Sequence, residues 1–152
     1  SEYRLGRIPT PQIPLDALFG GEIWLYGADL EPFQQPLQPG DTLPLTLYLQ
    51  ALRAHLPNSE AVIRLVAQEG GKAWAEEVRQ PLGGYLPTSS WLVRDEVLDG
   101  HELHLPADLP AGPYTVTVGL RHVDTPAEML RLPDGSAWAE IGTVEVAEGG
   151  QR

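Results

Sequence analysis

The sequence predicts an all-β protein, an antiparallel β-sandwich of seven to eight strands. Three observations carry that expectation. Leu43, Leu45, Leu47 and Leu49 alternate with Pro44, Thr46, Tyr48 and Gln50. Tyr114, Val116, Val118 and Leu120 alternate in the same way with Thr115, Thr117, Gly119 and Arg121. A spacing of two places each apolar set on one face of a pleated strand, which then buries against a second layer. Third, turn clusters recur between such runs, drawn from 16 Gly and 15 Pro among 152 residues.

Taken in order, residues 1–21 carry Pro9, Pro11 and Pro14, which exclude a regular helix. They predict a Pro-rich linker or an edge segment packed on the sandwich. Residues 22–30 (EIWLYGADL) read as a strand rich in aromatic and branched side chains. Pro36, Pro39, Gly40 and Asp41 turn into the strand 43–53. Pro57-Asn58-Ser59 turns into 61–68, and Gly70-Gly71 is a hairpin signal leading to 72–79. Pro81, Gly83, Gly84 and Pro87 interrupt the chain before Trp91. Strand 97–105 contains Asp99-Gly100, a turn or bulge signal. Residues 106–113 turn into 114–122, and a loop over 124–135 precedes the last strand at 138–146. The sandwich is thus expected over 22–147, with 148–152 a disordered tail. Helical alternatives at 47–56 and 125–132 are weaker, because Pro44 and the period of two oppose the first and only one turn fits the second.

Composition narrows the function classes. Ten basic against 21 acidic residues give a net charge of −11, which repels phosphate backbones and anionic lipid surfaces. Nucleic acid is therefore not an expected partner. No stretch is apolar for long enough to cross a bilayer, so no direct membrane insertion is expected of this segment. There is no Cys, which removes disulfides and thiol chemistry. The chain opens on Ser rather than Met, as a processed product or an excised piece would.

Five segments resemble one family: FGGEIWLYGADL (19–30), QPGDTLPLTLYLQA (38–51), PLGGYLPTSSW (81–91), LHLPADLPAGPYTVTVGLRH (103–122) and IGTVEV (141–146). They are similar, in this order, to the C-terminal soluble β-sandwich of bacterial multi-pass membrane glycosyltransferases of the protein-mannosyltransferase-like superfamily. The resemblance implies an immunoglobulin- or fibronectin-III-like fold and an extracytoplasmic location, with a membrane region upstream. It implies no catalytic residues. Family members often carry Trp two residues after the tyrosine position of the second strand, where this chain has Tyr48-Leu49-Gln50.

Sugars are gripped by aromatic rings with carboxylates beside them, so the rings are the first candidates for a site. Tyr114, after Leu109-Pro110-Ala111-Gly112-Pro113, reads as a corner tyrosine of the scaffold. Trp24 and Tyr26 share a parity with Ala28 and Leu30 and are expected in the core. Tyr85, Trp91, Trp74 and Trp138 remain as ligand-binding candidates, with Tyr85 and Trp91 on a loop and Trp91 also able to plug one end of the sandwich. Contacts are expected from the loops 85–91 and 124–136. Asp95, Glu96 and Asp99 lack the spacing of a calcium loop, and His101 and His104 should lie on opposite faces of a strand. No metal, cofactor or catalytic constellation is expected, since no G-x-S-x-G elbow or phosphate loop is present. The reading is a non-catalytic, extracytoplasmic accessory module with a glycan or protein partner. The alternative is a spacer or assembly domain acting through a sheet edge or an apolar patch.

Overall fold

A computed structural model describes residues 8–30 and 36–149. The alternation seen in the sequence becomes eight strands among these residues: β1 (Ile13–Phe19), β2 (Ile23–Leu30), β3 (Thr42–Ala51), β4 (Ser59–Ala67), β5 (Ala73–Arg79), β6 (Glu96–His104), β7 (Gly112–His122) and β8 (Ala139–Val146). They form two four-stranded antiparallel sheets, ordered β1-β2-β3-β6 and β5-β4-β7-β8. Setting β1 aside, this is the strand order of an immunoglobulin- or fibronectin-III-like sandwich.

The core lies where the inward sets meet. Leu43, Leu45, Leu47, Leu49 and Ala51 of β3 face Ile63 and Leu65 of β4 and Val116, Val118 and Leu120 of β7, and all are buried. Pro44 is tolerated in this sheet because, among the described residues, β2 pairs with β3 only as far as Leu45, and Pro44 lies opposite Glu102 of β6. Tyr114 is buried and its hydroxyl donates to Pro110 O at 2.6 Å, so the corner tyrosine pins the β6–β7 turn to the start of β7.

The sandwich reaches further back than Glu22. Residues 13–19 pair with β2 as an edge strand, which is the edge alternative for the Pro-rich segment. The prolines permit this because an outer edge needs no amide donors. Residues 1–7 and 150–152, and with them part of the linker and tail expectations, lie outside the described residues. Asp99-Gly100 makes neither turn nor bulge: β6 runs through it in unbroken register with β3. Leu37 forms a parallel bridge to Val146, donating from its amide to Glu145 O and accepting from Ala147 N.

Candidate ligand-binding face

The outer face of the first sheet concentrates rings, carboxylates and a trough. Trp24 and Tyr26, expected in the core, lie on this face instead. The cause is a bulge: pairing of β2 with β3 shifts between Leu25 and Gly27. One extra residue reverses the alternation, so Ile23 and Leu25 point inward before it and Ala28 and Leu30 after it. Trp24 and Tyr26 are left half-buried on the opposite side. Only glycine fits at position 27, where an added Cβ would stand 2.3 Å from Pro11 Cγ.

Tyr48 of β3 joins them. Ring centroids are 5.4 Å apart for Trp24 and Tyr26 and 5.7 Å apart for Tyr26 and Tyr48. Each polar tip is held by a carboxylate. Trp24 Nε1 donates to Asp16 at 2.9 Å, the Tyr26 hydroxyl to Glu96 at 2.6 Å, and the Tyr48 hydroxyl to Asp29 at 2.7 Å. Burial and Asp29 push the Tyr48 hydroxyl up to about 12; burial and Glu96 raise Tyr26 well above its ordinary value. Both therefore stay neutral donors across the physiological range.

Asp29 also borders an open trough of about 640 Å³, together with Gln12, Thr46, Gly100, Glu102 and His104. Gly100 forms part of its floor: a Cβ there would meet nothing within 4 Å. Glu77, Arg79 and His101 close the trough at the β5–β6 mouth of the sandwich. His101 and His104 point to opposite faces, as their spacing requires. His104 bonds Thr42 outside, at 3.0 Å, while His101 is buried.

Inside that mouth lies a polar cluster that sequence reasoning missed. His101 Nε2 is 2.5 Å from Asp99 Oδ2, and Nδ1 is 2.6 Å from Glu77 Oε1. Asp99 and His101 sit on the inward parity of β6, and Glu77 belongs to the opposite sheet. Asp99 Oδ1 also accepts from Leu82 N at 2.9 Å, and Arg79 donates to Gly100 O. Burial alone would push the imidazole down, but the two carboxylates outweigh it and hold its pKa above the ordinary histidine value.

The four rings expected to contact ligand do not converge. Trp91 is 1% exposed, packs in the core and donates from Nε1 to Leu86 O at 2.9 Å. Its ring is closed to solvent within the core cluster. Trp74, which packs in part against the core, and Trp138 each lie beneath a cation: Lys72 Nζ is 3.9 Å from the Trp74 ring and Arg64 Cζ 4.3 Å from the Trp138 ring. Trp138 also packs against Gly119, where an added Cβ would come within 3.0 Å of its ring. Tyr85 stands 90% exposed on the β5–β6 connection with Leu82, Leu86, Leu92 and Val93. That connection is pinned to its neighbours despite its apolar surface. Thr88 is buried and bridges Pro57 O and Ser59 N, at 2.6 and 2.9 Å. Between Gln80 and Val93 it carries no charged residue.

Asp95, Glu96 and Asp99 diverge: Asp95 accepts from Leu92 N, Glu96 holds Tyr26 outside, and Asp99 is inside. Among the described residues no group of three or more His, Asp or Glu is arranged to hold a metal ion.

The fold defines the chain's class as a β-sandwich module. No protein-family model and no curated protein matches the sequence. Thirty-eight solved chains match in structure. The chain is similar to the C-terminal domain of wzt, at TM-score 0.63 and 12% identity, covering 95% of this chain and 89% of that one. It is also similar to a Niemann-Pick type C2 protein from the Japanese carpenter ant, at TM-score 0.51 and 7% identity, covering 93% of this chain and 100% of that one. AvmM, which catalyses macrocyclization in alchivemycin A biosynthesis, aligns at TM-score 0.46 and 13% identity over 91% of this chain and 98% of its own.

Proposed function

We propose that the chain is a non-catalytic binding module that holds a glycan on the outer face of its first sheet. One observation carries this reading: Trp24, Tyr26 and Tyr48 are fixed by Asp16, Glu96 and Asp29 on one face, and Asp29 also lines the trough. Trp24 and Tyr26, both half-exposed, offer apolar faces to the C–H faces of a sugar, with the buried Tyr48 packed behind them, and carboxylates accept from its hydroxyls. The tips are already bonded, so little side-chain freedom remains to be lost on binding. His101 has both nitrogens engaged and is 2% exposed, so it offers no free base to this face. The sequence resemblance supports an extracytoplasmic setting beside a membrane glycosyltransferase, and the likeness to the C-terminal domain of wzt supports an appended module of this fold.

A glycan array followed by titration calorimetry tests the reading. Trp24→Ala should weaken any hit at least tenfold, the loss of one stacking ring being worth about 1.5 kcal/mol. Trp138→Ala should leave it unchanged. Flat heats with diverse oligosaccharides, or equal binding by both variants, would refute it.

A second reading rests on the uncharged connection 80–93. Its exposed Leu82, Tyr85, Leu86, Leu92 and Val93 form an apolar display suited to assembly with another protein. Light scattering over a concentration series, repeated with Leu92→Ser and Val93→Ser, separates the two readings: self-association that the serines abolish favours this one.

A further inference from the structure

We propose that His101 is a pH-dependent clasp that, as the imidazolium, ties the two sheets together at the β5–β6 mouth and fixes one wall of the trough. Only the effect on ligand rests on the trough being the ligand site; the clasp itself rests on geometry. A carboxylate accepts hydrogen bonds and donates none, so both ring nitrogens of His101 must carry protons to bond Asp99 and Glu77 together. The neutral ring has one bare nitrogen. Its lone pair would face a carboxylate oxygen at 2.5 or 2.6 Å, which repels rather than binds. One of the two contacts is then lost, and with it either the link between sheets or the partner of a fully buried Asp99.

The charges around the ring favour the imidazolium. Asp99 comes from β6 itself, and Glu77 and Arg79 come from β5, with Arg79 Nε 3.7 Å from Glu77 Oε2. The β5–β6 connection supplies only the Leu82 amide, which donates to Asp99. The register neighbours on β3 (Leu45, Leu47) and on β4 (Ala61, Ile63) carry no charge. Two carboxylates against one guanidinium leave a negative balance that the ring proton cancels. The raised pKa of His101 agrees with this.

The sign follows from linkage. A histidine whose folded pKa is raised adds stability that is complete below its unfolded value, about 6.5, and disappears as pH rises through the folded value. Deprotonation therefore loosens the wall formed by Glu77, Arg79 and His101. It also frees Asp99, which anchors the root of the apolar connection at Leu82.

The test uses the intact chain. Long-range ¹H–¹⁵N spectra of the imidazoles give the protonation state and midpoint of His101; hydrogen exchange, corrected for intrinsic rates, gives protection of β5 and β6 amides. Both protons should be present at about pH 6, and a tenfold loss of protection is expected for each pH unit by which the midpoint exceeds the ordinary histidine value. Protection of β7 and β8 should change little. Glu77→Gln should move the midpoint down, and His101→Gln should abolish the pH step in protection. A ring that is neutral at about pH 6, or that titrates with no change in β5–β6 protection, overturns the clasp. Neutral oligosaccharides titrated on both sides of the midpoint separate the layers. Binding that ignores the step removes the control of the trough, whereas absence of binding at every pH refutes the glycan reading and leaves the clasp to the exchange data.

Discussion

Replacing Trp91 by alanine separates scaffold from site. The indole is buried to 1%, lies in the main core cluster, and satisfies Leu86 O through its Nε1 proton at 2.9 Å. Truncation removes the ring's burial and leaves a cavity, a combination that costs about 3–5 kcal/mol for a buried Trp. The carbonyl of Leu86 loses its donor as well, although partial exposure of that loop lets water replace it. For a domain of this size each kcal/mol lowers the melting temperature by about 2–4 °C, so a drop of roughly 10 °C is expected. Calorimetric melting measures it, and Trp91→Phe should recover more than half, because much of the ring volume returns. Below the new melting temperature, ligand affinity should be that of the parent chain. A Trp91→Ala variant that melts with the parent yet binds nothing would refute the assignment and return this ring to the binding surface.

Other outcomes follow from single contacts. Tyr114→Phe removes the bond to Pro110 O and should cost about 1 kcal/mol in chemical denaturation, with the slope unchanged. Gly119→Ala should cost about 1–3 kcal/mol, since its Cβ would lie 2.5 Å from Met129 Cε and 3.0 Å from the Ala137 carbonyl; a neutral result would mean that the 124–137 loop moves aside freely. Gly100→Leu places a side chain where nothing lies within 4 Å of the Cβ, so stability should hold within about 0.5 kcal/mol while trough binding falls; unaltered binding in calorimetry would locate the ligand elsewhere. Raising pH through the folded pKa of His101 should lower the melting temperature of the parent chain and not that of His101→Gln.

How far the sequence could be read depended on parity. The leucines of β3 and the valines of β7 hold strict alternation from end to end, so their faces could be assigned without coordinates. In β2 the same count fails, because one unpaired residue between Leu25 and Gly27 reverses every side chain after it. Local sequence gives no marker for that shift beyond Gly27 itself, and the aromatic face was hidden behind it. The Glu77–His101–Asp99 cluster was illegible for a different reason. Glu77 lies 24 residues before His101 and meets the Asp99–His101 pair only because β5 and β6 border the same mouth. His101 and Asp99 do keep the period of Val97 and Leu103. Two polar residues in register with a core stripe were the available signal. Trp74 and Trp138 were open questions until the cations above them were located, since a stacked Lys or Arg leaves no trace in residue spacing.

Strand borders are where β proteins stick to one another, and this chain blunts three of its four. Pro14 and an irregular register interrupt β1, the backbone of Leu37 lies along the end of β8, and the Arg79 guanidinium caps a carbonyl of β6. Concentrated solutions should consequently resist ribbon-like stacking, leaving β5 as the one flank where a stray peptide could zip on.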